Sequence, residues 1–208
     1  PALLEAFHRD EDVHRATAAQ VYNVSPDGVT PDMRRVAKVM NFGVIYGLSA
    51  HGIAQQTELD VNQGLAFIES YLGKYPGIRD YVETTKRLAK ERGYVETILG
   101  RRRYLPEINQ SNFHVRQAAE RMAVNMPVQG TAADIIKIAM VRIHQRMQEE
   151  GAESRLLLQV HDELIFEVPP QEMAQMKAMV QELMPAAMAL AVSLKVEMKV
   201  GPTWGDLE

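Results

Sequence analysis

The chain has 208 residues, 46% of them hydrophobic, and a net charge of −4 at pH 7, which is enough apolar material to bury a core and argues against an intrinsically disordered protein. Cysteine is absent, which excludes a disulfide framework and a thiolate metal site, and no apolar run is long enough to span a bilayer as a helix. The segment 79–103 contains eight basic and four acidic residues, and the segment 149–182 contains eight acidic and two basic residues. The first segment therefore suits an anionic partner and the second suits cations; the alternative is that both are ordinary solvated surfaces.

The first half of the chain is predicted to be mostly helical. The clearest helix start is Thr30-Pro31-Asp32, because it combines a hydroxyl N-cap, a proline at the first helical position and an acid in the first turn. Breaks are predicted at Asn23 and over 25–28, which is rich in turn-forming residues. The predicted helices cover 1–22, 31–46, 60–74 and 77–92, and a short predicted strand covers 95–99.

The second half is predicted to mix helices with antiparallel strands. A helix that begins near Asn112 should kink or stop at Pro127, and a capping box over 131–134 should open another helix that ends at Gly151. The remaining predicted elements are a hairpin of strands 155–160 and 163–168, a helix to about 192 and an alternating strand over 194–200. We therefore predict an α+β fold, with a helical domain over 1–112 and a domain over 113–208 in which helices back an antiparallel sheet.

Four side chains recur every four residues on the helix after Pro31, namely Arg34, Lys38, Phe42 and Tyr46. Each step of four advances only about 40° around a helix, so the four side chains form one stripe. Two cations followed by two aromatic rings suit a nucleoside triphosphate, because cations neutralise phosphates and rings stack on a base or sugar. Spacing alone favours the simpler alternative, an amphipathic helix with a mixed edge.

An acidic pair is predicted at the tip of the second-half hairpin, where Asp162 and Glu163 follow His161. A carboxylate on a rigid hairpin is well placed to hold Mg²⁺, which prefers carboxylate and phosphate oxygens. His161 could touch a phosphate or a sugar. The alternative is a polar turn, since turns often contain Asp, and one carboxylate does not make a two-metal site.

A second row with a spacing of four consists of Arg121, Asn125 and Gln129. These side chains can donate hydrogen bonds to acceptors in a nucleic-acid groove. Taken alone, the row is better explained as a hydrogen-bonded helix face.

A basic run, Arg101-Arg102-Arg103, stands next to Tyr104 and suits a sugar–phosphate backbone, although a solvated surface turn explains it equally well. His14 lies in the predicted N-terminal helix, where a lone histidine is usually structural. It becomes a candidate only because of the residues that accompany it.

Together these segments resemble family A DNA polymerases of the bacterial DNA polymerase I type. The helix over about 31–47 is similar to the family's motif B, on the fingers helix that closes over the incoming nucleotide. The hairpin over about 155–168 is similar to motif C, the palm hairpin that bears a catalytic carboxylate. The segments 101–106 and 129–134 also resemble family sequence, in the same order and spacing along the whole chain. The resemblance implies fingers over 1–112 and the C-terminal part of the palm over 113–208.

The resemblance also implies a role for each candidate residue. The residues that would bind the nucleotide are His14, Arg34, Lys38, Phe42 and Tyr46. The residues that would contact DNA are Arg101, Arg102, Arg121, Asn125, Gln129 and His161. The catalytic residues would be Lys38, Asp162 and Glu163, of which Asp162 and Glu163 would bind the metal.

The implied activity is template-directed DNA synthesis, in which a primer 3′-hydroxyl attacks the α-phosphate of a dNTP and pyrophosphate leaves. The implied cofactor is Mg²⁺, with two ions in the complete enzyme. The implied partners are primer–template DNA and dNTP, without a membrane. The implied location is the bacterial cytoplasm, associated with the nucleoid, with roles in DNA replication and repair.

One family feature is not found in the sequence. Family members have motif A, an Asp-Tyr-Ser type of sequence with a second metal-binding carboxylate, a short way upstream of where this chain starts. We therefore expect the chain alone to be inactive and to need a further palm and thumb segment that bears motif A. The alternative is a non-catalytic nucleic-acid or nucleotide-binding module. A helical interaction protein is disfavoured, because it gives no reason for cations and aromatic rings to share one stripe.

Overall fold

The computed structural model describes residues 2–57 and 59–207, in which long helices are joined to two small antiparallel sheets. The elements in chain order are α1 (Ala2–His8), α2 (Val13–Tyr22), α3 (Pro31–Ile45), α4 (Ala50–Gln56), α5 (Val61–Lys74), α6 (Pro76–Arg92), β1 (Tyr94–Glu96), β2 (Arg102–Tyr104), α7 (Phe113–Glu149), β3 (Arg155–Val160), β4 (Glu163–Glu167) and α8 (Met173–Leu183). The predicted α+β class is confirmed. Within the described ranges, no helix is long and apolar enough to cross a membrane.

The start of α3 confirms the predicted helix signal. The Thr30 hydroxyl accepts a hydrogen bond from the Met33 N–H at 3.3 Å, and Pro31 occupies the first helical position. An N-cap side chain satisfies a backbone donor that the helix itself leaves unpaired. Local sequence therefore sets where this helix begins.

The chain packs as two units, 1–129 and 130–208, and the division between them falls inside α7. The predicted division after residue 112 coincides instead with the start of α7 and stays a prediction.

The first unit has an apolar core among α3, α4 and α5, in which Met40 and Ile53 are fully buried. Full burial of such a side chain contributes roughly 1.5–3 kcal/mol. Met40 therefore marks the face of α3 that is buried in this core.

The second unit is built around the β3–β4 hairpin, whose closing pair is Val160 and Glu163. Its core joins α7 and α8 to the inner face of β4. The residues that form this core include Ile143, Met147, Met176, Met179, Leu164 and Phe166. The predicted hairpin is confirmed, and packing on one side holds its tip at a defined position.

The predicted stop at Pro127 and the predicted helix start over 131–134 are wrong, because Pro127 lies within one continuous helix. The alternative of a kink at Pro127 stays a prediction. Pro127 removes one backbone hydrogen bond, but Ala123 and Val124, just before it, are buried, and the Tyr81 hydroxyl donates to the Val124 carbonyl at 2.8 Å. Tertiary packing therefore outweighs the local cost of proline. The predicted capping box over 131–134 lies in the interior of α7 rather than at a helix start.

Three further predicted elements differ from the structure. The predicted strand over 194–200 has no regular secondary structure, because alternation alone does not supply a neighbouring strand to pair with the backbone. The helix predicted to reach about 192 ends at Leu183, two residues before Pro185, since proline has no backbone N–H with which to continue the helical hydrogen bonds. The first strand is Tyr94–Glu96 rather than 95–99, because Gly100, with φ of 80°, closes a turn onto Thr97.

Candidate functional site

Three of the four side chains of the predicted stripe line an open cleft in the first unit, and Arg34 does not. The cleft has a volume of about 680 Å³ and is lined on one side by Lys38 and Phe42 of α3 and by Tyr46, its C-cap residue. The other side is lined by α7, with Arg121 and Asn125 among its residues. Phe42 is 38% exposed although it is a large apolar ring. The predicted stripe is therefore available to a ligand instead of being packed into the core.

Two aromatic rings stack on each other along this cleft. The rings of Phe42 and Tyr46 are nearly parallel, with an interplanar angle of 14° and centroids 5.8 Å apart. Lys38 Nζ lies 6.0 Å from the centroid of the Phe42 ring, and the His14 ring lies 5.5 Å from it on the other helix, α2. Four of the five predicted nucleotide-binding residues thus meet around one phenyl ring.

Arg34, the fifth residue, is held by an ion pair that sequence reasoning missed. Its Nε donates to Asp12 Oδ2 at 2.6 Å, and Asp12 also caps α2 by accepting from the N–H groups of His14 and Arg15. Partial burial raises the pKa of Asp12, but the hydrogen bond from Arg34 and those from the backbone outweigh it and leave the pKa below its usual value. The contact fixes one edge of the Arg34 guanidinium.

Arg35 is a further residue that the sequence analysis did not select. It lines the cleft, and its guanidinium lies 3.5 Å from Asp32 in an exposed pair. Spacing could not find it, because its position relative to Arg34 places it on a neighbouring face of α3.

His14 is fixed by a buried amide on α3. Asn41 Nδ2 lies 2.9 Å from His14 Nδ1 and 3.4 Å from the Val13 carbonyl oxygen. The Thr17 hydroxyl lies 3.0 Å from Asn41 Oδ1 and 2.8 Å from the same Val13 oxygen. Burial lowers the pKa of His14, and the charges of Arg34 and Lys38 lower it further against the opposing charge of Asp12. His14 is therefore held as a neutral ring near pH 7.

The three predicted residues on α7 do not all lie at the cleft. Arg121 and Asn125 line the cleft, whereas Gln129 is exposed and does not line it. The buried Asn125 Oδ1 has no hydrogen-bond partner among the residues that the structure describes. A buried carbonyl oxygen without a partner is costly, so this atom is an unsatisfied acceptor at a residue that lines the cleft.

The basic run lies on the β1–β2 hairpin, where Arg101, Arg102 and Arg103 are all exposed. Arg102 donates to Glu96 at 3.0 Å and lies 4.6 Å from the centroid of the Tyr94 ring. Cross-strand contacts thus orient one arginine of the run.

The acidic pair lies at the tip of the β3–β4 hairpin in the second unit. His161 and Asp162 form the two-residue turn, and both they and Glu163 are exposed. His161 has φ of 52°, in the left-handed region that non-glycine residues seldom adopt. Strained backbone at an exposed tip motivates a functional hypothesis.

The donor chemistry at this tip fits part of a magnesium site. Adjacent exposed carboxylates are suitable oxygen ligands for Mg²⁺, which commonly takes one or two carboxylates with substrate phosphates and waters. No group of three or more potential His, Cys, Asp or Glu ligands converges anywhere in 2–57 or 59–207. Asp162 and Glu163 would therefore be only a part of the ligand set.

Comparison with known proteins places this chain among polymerases. The model of "DNA polymerase family A" matches residues 1–206. The chain is 51% identical to DNA polymerase I of Bacillus caldotenax and 47% identical to that of Bacillus subtilis, each over 98% of the chain and 23% of the relative. Its structure is similar to the POL domain of Pol1 from M. smegmatis, solved in complex with DNA primer-template and dNTP, with a TM-score of 0.87 and 47% identity over 93% of this chain and 34% of that one. The chain thus spans about a quarter of the length of these curated relatives.

Proposed function

Because the chain belongs to DNA polymerase family A, we propose that it forms the fingers and the C-terminal part of the palm of a template-directed DNA polymerase. The family resemblance drawn from the sequence is thereby confirmed. The proposed activity is transfer of a nucleotide from dNTP to a primer 3′-hydroxyl, and the proposed partners are dNTP and primer–template DNA.

One observation supports nucleotide binding best: Lys38, Phe42 and Tyr46 follow one another along an open cleft, with His14 against the same phenyl ring. The near-parallel rings offer flat apolar faces to a base or a sugar. Lys38 offers a compact positive charge at the other end of the row. The order of these side chains along α3 matches the order of groups along a nucleoside triphosphate.

The triphosphate would be bound by Arg34, Lys38 and His14. Asp12 contacts Nε of Arg34, and a guanidinium has four further N–H donors that can address phosphate oxygens. His14 is neutral and can donate one N–H without adding charge. Two cations and one neutral donor would therefore bind the terminal phosphates of the dNTP. The negative charge that develops on the departing pyrophosphate would remain accessible to the metal ions.

Mg²⁺ would be held by Asp162 and Glu163, together with phosphate oxygens of the dNTP. When bound, the two ions would supply activation of the attacking hydroxyl and stabilisation of the leaving pyrophosphate. The carboxylates of this chain would orient the metal site from a rigid hairpin, and His161, next to them, would contact the primer end.

DNA would be contacted by two groups of residues. Arg101 and Arg102, on the exposed hairpin, would neutralise backbone phosphates. Arg121, Asn125 and Gln129 would donate to acceptors in the minor groove near the primer end.

In the proposed reaction the primer 3′-oxygen forms a bond to the α-phosphorus, the bond from that phosphorus to the bridging oxygen breaks, and pyrophosphate leaves while the hydroxyl proton passes to solvent. We propose that the 208-residue chain does not catalyse this reaction alone, because its described residues supply only an incomplete metal-ligand set.

Binding and chemistry are separable in a family A polymerase that contains this segment. We expect Lys38→Ala to raise the KM for dNTP by roughly 10-fold or more, since a charge-assisted hydrogen bond is lost. We expect Asp162→Ala to lower kcat by at least about 100-fold, measured by primer extension at saturating dNTP. The exposed Lys177, on α8, gives a matched control, Lys177→Ala. Near-normal turnover of Asp162→Ala would show that the metal assignment is wrong.

The isolated chain tests the proposed inactivity. With Mg²⁺, primer–template and dNTP, the purified 208-residue protein should give no extension, and a longer protein that adds a segment with a further metal-binding carboxylate should extend the primer. Extension by the chain alone would refute the inactivity. Absence of extension in the longer protein would instead favour a non-catalytic binding module.

A further inference from the structure

Asn41 is a buried polar residue next to Phe42 on α3, and it is only 2% exposed. Burying an amide is unfavourable unless its donors and acceptor are satisfied. The partners of Asn41 given above all belong to α2: Val13, His14 and Thr17. Its hydrogen-bonding capacity is therefore used to join α3 to the helix that bears His14.

The orientation of the Asn41 amide selects which nitrogen of His14 carries the proton. An amide nitrogen only donates, and its two hydrogens serve the Val13 carbonyl oxygen and His14 Nδ1. His14 Nδ1 must then accept, which leaves the proton of the neutral ring on Nε2. The Thr17 hydroxyl lies 2.8 Å from the Val13 carbonyl oxygen and 3.0 Å from Asn41 Oδ1, so it shares one hydrogen between two acceptors. The Val13 carbonyl, which only accepts, favours the amide orientation that turns Nδ2 towards it.

We propose that Asn41 is a positioning residue that holds His14 in the Nε2–H tautomer beside Lys38 and Phe42, so that this N–H is a fixed donor for an oxygen of the bound triphosphate. The proposal rests on the proposed nucleotide-binding function and deepens it. Asn41 touches no substrate in this scheme and acts only through His14.

The charged groups around His14 favour the neutral ring that the tautomer requires. Asp12, two residues earlier, would favour the protonated ring, whereas Arg34 and Lys38, from α3, disfavour it. Partial burial beside the Phe42 ring, whose centroid lies 5.5 Å away, acts in the same direction as the two cations. The surroundings therefore keep His14 uncharged while Asn41 selects its tautomer.

The tautomer can be measured without nucleotide, by NMR of the 208-residue protein labelled with ¹⁵N in histidine. We expect His14 Nδ1 to be unprotonated and Nε2 to be protonated at pH 7. Asn41→Asp replaces the donor by an acceptor, so the proton should move to Nδ1 and the pKa of His14 should rise. A protonated Nδ1 in the wild type, or an unchanged tautomer in Asn41→Asp, would overturn the proposal.

A milder variant keeps the test decisive if Asn41→Asp does not fold. Thr17→Val removes the hydroxyl that contacts Asn41 Oδ1, so the amide can turn over and His14 should show a mixture of its two tautomers. His51, on α4, whose Nε2 contacts Gln55 at 3.1 Å, is the internal control and should not change. A single unchanged tautomer in Thr17→Val would contradict the role of the network.

The nucleotide arm uses dNTP binding to the same labelled proteins. We expect dNTP to shift the His14 Nε2 signal in the wild type. In Asn41→Leu the Nε2–H of His14 is no longer held in place, so this variant should bind dNTP more weakly by about tenfold or more. Undiminished affinity in Asn41→Leu would overturn the positioning role even if the tautomer changed. Failure of the wild type to bind dNTP would instead refute the proposed function, since the tautomer is established separately.

Discussion

We expect Asp12→Ala to lower the free energy of unfolding of the first unit by about 1–2 kcal/mol at pH 7 and low salt, because the residue caps a helix and holds Arg34. The carboxylate accepts from the N–H groups of His14 and Arg15 at 3.1 and 3.0 Å, and from Arg34 Nε at 2.6 Å. Loss of an N-cap costs about 1 kcal/mol. A partly exposed ion pair contributes about 0.2–1 kcal/mol.

Asp12→Asn separates the two contributions. Asparagine caps helices about as well as aspartate, so this variant keeps the cap and loses the charge that pairs with Arg34. Its loss of stability should be below about 1 kcal/mol and should disappear at high salt, which screens exposed pairs. The remaining difference between the Ala and Asn variants then measures the cap.

The pH dependence of this difference has a defined sign. The pKa of Asp12 is lowered by folding, because the hydrogen bond from Arg34 and those from the backbone outweigh the effect of partial burial. A carboxyl group of this kind stabilises the protein above its unfolded pKa, and the contribution is lost as pH falls through the lower, folded value. The advantage of the wild type over Asp12→Asn should be complete at pH 7 and should shrink below pH 3.8.

Urea unfolding followed by far-UV circular dichroism is the suitable assay, since the single tryptophan, Trp204, lies in the second unit and does not report on α2. An unchanged midpoint for Asp12→Ala would refute the capping argument. An advantage over Asp12→Asn that grows in acid would refute the assigned ion pair.

Three further substitutions test packing and charge away from the cleft. Gly64→Ala should lower the free energy of unfolding by about 1–3 kcal/mol in urea, because the added Cβ would lie 2.9 Å from the carbonyl oxygen of Ala50. Gly73→Ala, on the same helix, adds a Cβ that meets nothing within 4 Å and should raise the free energy of unfolding by about 0.5–1 kcal/mol. Changes of the same sign in the two variants would contradict the close approach of α4 and α5. Glu172→Gln should destabilise the protein at pH 7, because hydrogen bonds from the Ser154 hydroxyl and from the backbone lower the pKa of Glu172. The difference in melting temperature between this variant and the wild type should vanish as pH falls below 4.5. A difference that does not depend on pH would contradict an ionised acceptor at Glu172.

Short-range features of the fold were predictable. The start of α3 at Thr30 and Pro31 depends on contacts within one helical turn, and the hairpin depends on a two-residue connection, His161-Asp162, between apolar runs. Such interactions join residues that are close in the chain, so their signals survive in the sequence without knowledge of the tertiary structure. The roles proposed for these residues stay predictions.

Predictions failed where a distant partner decides the outcome. Pro127 signals a helix break, yet the packing of Ala123 and Val124 keeps α7 continuous. The alternation over 194–200 signals a strand, yet the segment has no regular secondary structure. A periodic pattern records which side chains share a face, whereas a strand also requires another strand to satisfy its backbone.

The candidate site shows the same division. By itself the sequence determined that Arg34, Lys38, Phe42 and Tyr46 lie along one face of a helix, because helical geometry fixes that relation wherever a helix forms. Only the tertiary structure decided that Lys38, Phe42 and Tyr46 line a cleft. It also decided that Asp12 pairs with Arg34 and that Asn41 contacts His14. Those contacts join residues 22 and 27 positions apart, across two helices, and no local spacing specifies them.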